Sequence, residues 1–132
     1  MRTVLAVMIL YGAGVSAALA AECADQTQWG LDQCADANFK RADQELNRAY
    51  DDIIRRLGKD ESSKQALIAA EKAWVAFRDA ECKFRADPRQ QGSIWGMEHL
   101  LCLRGLTQAR TKDLIHYLHC DEGDLQCPVP QQ

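Results

Sequence analysis

Three long stretches with apolar residues at three- and four-residue spacing, parted by short breaks, leave this chain little to fold into except helices. The first runs from Thr27, a side chain suited to cap a helix, to Leu57, with Phe39, Leu46, Tyr50, Ile53 and Leu57 along one face, and it stops at Gly58. The second starts near Asp60 or Ser62 and ends before Pro88, because the residue preceding a proline avoids the helical region. Its expected inner face is Leu67, Ala70, Trp74, Phe77 and Arg78. A third, capped by Ser93, carries Leu100, Leu103, Thr107, Leu114 and Leu118. No strand-like alternation, repeat or low-complexity segment interrupts them. The expectation is an all-α fold, an antiparallel three-helix bundle followed by an irregular tail, CDEGDLQCPVPQQ.

The opening MRTVLAVMILYGAGVSAALA reads as a secretory signal peptide over residues 1–20: one Arg, an apolar run, then the small-x-small Ala18-Leu19-Ala20. Glu22 directly before Cys23 argues against lipid attachment, which needs a small residue there. Cleavage would leave residues 21–132, with a helical domain over 21–119 and a clasped tail over 120–132. Without Arg2 the chain keeps 15 of its 16 basic residues against 19 acidic ones, a net of −4. That balance disfavours nucleic acid and suits a basic protein partner. No other apolar run approaches a membrane span.

Six cysteines, at 23, 34, 82, 102, 120 and 127, in a short exported chain favour three disulfides over free thiols. No Cys-x-x-Cys suggests redox chemistry. Cys120 and Cys127 are close enough to clasp the tail. Counting helix levels pairs Cys23 with Cys82 and Cys34 with Cys102, although the other two arrangements of these four stay open.

The wheel also draws polar stripes beside the apolar faces: Asp36, Asp43, Asn47 and Tyr50 on the first helix, Glu71, Trp74, Arg78 and Cys82 on the second, Thr107 and Arg110 on the third. At about 1.5 Å of rise per residue, Asp36 comes level with Arg78, and Asp43 with Thr107 and Arg110. Two interhelical pairs are expected, Asp36 with Arg78 and Asp43 with Arg110.

These residues resemble a known family, the small exported bacterial domains of the LprI lysozyme-inhibitor type. The resemblance rests on CADANFKRADQELNRAY (34–50), AAEKAWVAFRDAEC (69–82), GSI (92–94) and CLRGLTQAR (102–110), in that order and spacing. It implies a helical fold, a protein partner and, by the family name, inhibition of lysozyme by blocking its cleft. The chain departs from the family pattern at Glu71, where Gln is usual, and in the tail pair Cys120 and Cys127.

Each candidate site has a structural rival. The layer Asp36, Asp43, Asn47, Trp74, Arg78, Thr107 and Arg110 can be a ligand pocket, but a buried charge that must be paired also fixes helix register, and we read it as scaffold. In the loop ADPRQQGSIWGM, Arg89, Gly92, Ser93 and Trp95 form a candidate partner-binding element whose cation and hydroxyl suit a cleft built on two carboxylates. The same residues serve as turn, cap and end-packing. His116, His119 and Cys120 share a face able to hold zinc, unless Cys120 and Cys127 are oxidised. No paired acid and base or activated nucleophile stands out, so neither an enzyme nor a cofactor is expected. The reading is a periplasmic or secreted binding protein, with an envelope interaction or stress role as its rival.

Overall fold

The structure, a computed structural model, describes residues 23–86, 92, 94–121 and 123–131. Among them are three helices, α1 (Gln28–Leu57), α2 (Glu61–Arg85) and α3 (Ile94–Leu118), with no strand, packed as the antiparallel bundle that the periodicity predicts. The signal segment 1–20, Arg89, and Ser93 with its capping role lie outside the described residues.

The helix limits follow from local chemistry. Thr27 Oγ1 accepts the Gly30 N–H at 3.1 Å, and α1 ends at Gly58, whose φ of 58° suits a residue without Cβ and whose N–H returns to the Arg55 carbonyl. Asp60 then opens α2, accepting the Ser63 N–H at 3.0 Å and its hydroxyl at 2.7 Å. Those bonds, the backbone one foremost, hold its carboxyl below the usual range. The sign follows from linkage: the cap contributes fully above the ordinary carboxylate pKa and is lost as pH falls through the lowered one.

The main interface joins α1 and α3. On α1 the buried residues are Ala35, Asn38, Ala42, Leu46, Ala49, Ile53 and Leu57, and on α3 Leu103, Thr107, Thr111, Leu114 and Leu118. The expected face of α1 was therefore rotated slightly, since Phe39 and Tyr50 are only half-buried while three alanines point inward. Those small residues allow α3 to approach closely. The tail is irregular, but its Val129 packs into the same core as Leu46, Ile53, Leu57, Leu114 and Leu118. Arg56 Nη1 donates to the Leu118 carbonyl at 2.5 Å and so closes the end of α3.

α2 departs most from expectation. Of the face assigned to the core, Leu67, Trp74 and Arg78 do turn inward, but Ala70 is exposed and Phe77 is 55% exposed. What α2 turns inward is its polar and aromatic stripe: Glu71 and Trp74 are half-buried, Arg78 and Cys82 buried.

The disulfides also correct the preferred pairing. Cys23 joins Cys34, Cys82 joins Cys102, and Cys120 joins Cys127, with Cα separations of 5.7, 5.5 and 5.8 Å. Pairing Cys23 with Cys82 assumed that Cys23 begins the first helix. The Thr27 cap places it outside, and residues 23–26 fold back over the first turns, where a Cβ on Gly30 would collide with the Asp25 side chain. Cys34 is thereby taken, which leaves Cys82 to Cys102 across the α2–α3 turn.

Candidate functional site

Two charged clusters lie between the helices at different levels. In the first, the Arg78 guanidinium stacks 5.3 Å from the Trp74 ring and 5.5 Å from Phe39, and donates to Asp79 through Nε at 2.9 Å. Asp43 stands 3.7 Å from it across the helix interface, steadied by the Asn47 amide at 3.2 Å, and Thr107 Oγ1 accepts from Arg78 Nη1 at 3.4 Å. Thus Asp43, Asn47, Trp74, Arg78 and Thr107 meet.

Asp36 does not join them. Instead of pairing with Arg78 it binds Lys40 one turn along α1, at 2.6 Å. The helix stagger differs from the sequence count by seven residues, about 10 Å at the helical rise. Asp43 and Thr107 share a level as expected, both reaching Arg78 Nη1, so the shift belongs to α2, and Arg110 is taken by Glu71 rather than Asp43.

Arg110 pairs with Glu71, whose Oε1 accepts from Nε at 2.9 Å and Nη2 at 2.5 Å; both side chains are only 14% exposed. Tyr117 lies 5.9 Å from the guanidinium and Asp113 Oδ2 3.8 Å away. Burial pulls the Arg110 pKa down, but the hydrogen bond and charge of Glu71, with Tyr117 behind them, outweigh it, so the net shift is upward. By linkage the stabilisation is complete below the unfolded pKa of arginine and disappears only above the raised one, beyond ordinary alkaline conditions. Glu71 belonged to the recognised stripe on α2, but sequence gave no sign of the level at which its partner stands.

No buried side-chain polar atom among the described residues lacks a partner. The two clusters hold α2 against α1 and α3. Arg78→Met is expected to cost about 1–2 kcal/mol, because Asp43 and Asp79 are 43% and 56% exposed and no buried charge is stranded, while the cation–π contacts are lost. A thermal melt checks this, and an unchanged melting temperature would remove Arg78 from the scaffold.

The α2–α3 end is braced differently. Trp95 Nε1–H donates to the Ala86 carbonyl at 2.6 Å, its ring stacks on His99 at 5.4 Å, and a His99 ring nitrogen lies 3.3 Å from the Cys82 carbonyl. Behind them sits the buried Cys82–Cys102 bridge. Gly92 is exposed, and a Cβ there would meet nothing within 4 Å. At the other end, His119 engages the Ile115 carbonyl, and the Cys120–Cys127 bridge removes the thiolates that zinc would need. Among the described residues no group of three His, Cys, Asp or Glu is placed to hold a metal, and no helix is long and apolar enough to cross a membrane.

A groove of about 440 Å³ opens between the start of α2 and the ends of α1 and the tail, lined by Ser63, Ala66, Leu67 and Ala70 opposite Leu57 and Val129.

Comparison with known proteins adds two findings. The family described as "Lysozyme inhibitor LprI" matches residues 19–114. An uncharacterized protein of Rhizobium meliloti (strain 1021) is 31% identical over 108 residues, covering 74% of this chain and 78% of the relative. No solved structure matches significantly.

Proposed function

The chain belongs to the LprI family, and from that membership we propose that it is an exported protein that binds lysozyme and blocks its cleft without chemistry of its own. The observation that carries the reading is the family match across residues 19–114. Three disulfides support an oxidising compartment, periplasmic or extracellular. The absence of an unpaired buried polar group among the described residues is in keeping with recognition by shape rather than catalysis.

The element proposed to enter the cleft is the α2–α3 connection. Its base is closed by the Cys82–Cys102 bridge and by the Trp95 indole on the Ala86 carbonyl, which hold the two ends of the connection together. On this reading Arg89 supplies a cation, and Ser93 a hydroxyl, for the carboxylates on which the glycosidase depends. The net acidity of the chain favours encounter with a basic enzyme.

Micromolar mature protein is expected to slow lysis of a cell-wall suspension by lysozyme. The Arg89→Ala, Trp95→Ala variant, provided its melt shows it folded, is expected to lose at least about tenfold in potency, the scale of truncating anchor residues. Full potency in that variant would move the site elsewhere. An unchanged lysis rate with wild-type protein would remove lysozyme as the partner and leave another envelope protein in its place.

A further inference from the structure

The outward face of α2 carries an apolar stripe with no partner among the described residues. Ala66, Ala70, Ala73, Phe77, Ala80 and Phe84 follow one another at alternating four- and three-residue steps, the spacing of a coiled-coil seam, and all six are exposed. Phe77 is 55% and Phe84 83% exposed. The bundle is complete without them, because α2 docks through Glu71, Trp74, Arg78 and Cys82.

Knob and hole lie on this one face. From Ala66 to Phe84 is five full turns, so the two share an azimuth, roughly 27 Å apart at 1.5 Å per residue. Phe84 projects at one end, while at the other Ala66, Leu67 and Ala70 border the 440 Å³ groove against Leu57 and Val129. A two-fold axis through Val75 places Phe84 opposite Ala66, Phe77 opposite Ala73, and Ala70 opposite Ala80. Each aromatic ring then meets an alanine, and no two rings collide.

We infer that the protein forms an isologous dimer in which two α2 helices pack antiparallel about Val75, each Phe84 entering the groove beside Ala66 of the other copy. A two-fold axis requires every contact to be made twice, and the stripe satisfies this by its own order of small and large residues. Phe77 and Phe84 are 55% and 83% exposed, so the four rings bring less than the full ~150–250 Å² each that an aromatic side chain can bury. With the alanines between them the total stays at the small end of interface sizes, below about 1,200 Å². Interfaces of that size are of the weak, transient class, so the dimer is expected toward the upper end of concentration. The lysozyme reading does not depend on it.

Sedimentation of the mature, fully oxidised protein from about 1 µM to 0.5 mM, spanning roughly 4 kcal/mol of association free energy, reads the equilibrium directly. Wild type is expected to pass from monomer to dimer across that series. Phe84→Glu and Ala66→Glu, each tested alone, are expected to raise the dissociation constant at least about tenfold with unchanged melts of the monomer, since neither side chain serves the core. Phe84→Glu combined with Ala66→Lys is expected to recover dimer, because the two-fold axis sets the new charges against each other. A wild type monomeric throughout would overturn the inference and leave the face to a different protein. A dimer weakened by neither substitution, or by one alone, would overturn this pairing.

Discussion

Arg110→Met is expected to lower the melting temperature by about 10–20 °C, the largest effect of any single substitution outside the apolar core, corresponding to about 3–5 kcal/mol for a domain of this size. The reason is the shielding of both partners. Glu71 and Arg110 are each 14% exposed, and the carboxylate spends one oxygen on two guanidinium nitrogens. Removing the arginine leaves an ionised acid between α2 and α3 with no cation to replace it. Removing both charges with Glu71→Met, Arg110→Met strands nothing, and the double variant is expected to recover most of the loss. Should the double variant be no more stable than Arg110→Met, the pair would not be coupled. The contrast with Arg78 tests the same physics, since its acids reach solvent and its deletion costs less.

Replacing Cys82 and Cys102 with alanine is expected to cost about 3 kcal/mol from chain entropy alone, or about 10–20 °C in melting temperature. The bridge spans 20 residues, encloses the α2–α3 connection, and places Cys82 at 0% exposure. Removing Cys120 and Cys127 releases only a seven-residue clasp and is expected to cost less. Peptide mapping of the oxidised protein checks the premise: fragments joined as Cys23–Cys34 and Cys82–Cys102 are expected, and fragments joining Cys23 to Cys82 would contradict it. In the lysis assay, the bridge-free protein at a temperature where it remains folded is expected to inhibit less, because the two ends of the connection are no longer tied together.

Helix limits were legible in the sequence because their causes are local. Thr27, Gly58 and Asp60 act within one turn of themselves, and each stands where its chemistry predicts. The level of α1 against α3 was legible, since Asp43 and Thr107 meet at Arg78 as counted, but the levels of α2 were not, because they depend on stagger set by the whole interface. Asp43 rather than Asp36 faces Arg78, and Glu71 rather than Asp43 faces Arg110. The facing of α2 was misread for a different reason. Hydrophobicity pointed Ala70 and Phe77 inward, whereas two charge clusters and the Cys82–Cys102 bridge fix the helix with Arg78 and Cys82 inside. Alanines contribute little area, so they could not outweigh those anchors. For Cys23 a clue was present in Gly30, whose missing side chain makes room for Asp25 as the chain doubles back.

The stretch EKAWVAFRDAEC thus divides by face. Glu71, Trp74, Arg78 and Cys82 attach α2 to its neighbours, and Phe77 looks outward. In this account stability resides in the clusters and partner recognition in the braced α2–α3 end. The most direct test titrates lysozyme with the mature protein in a calorimeter, with and without a short chitin oligosaccharide occupying the enzyme's cleft. Saturable binding that the oligosaccharide competes away, retained in folded Arg78→Met and weakened in Arg89→Ala, Trp95→Ala, is the predicted result. No binding, or binding indifferent to the oligosaccharide, would contradict occlusion of the cleft.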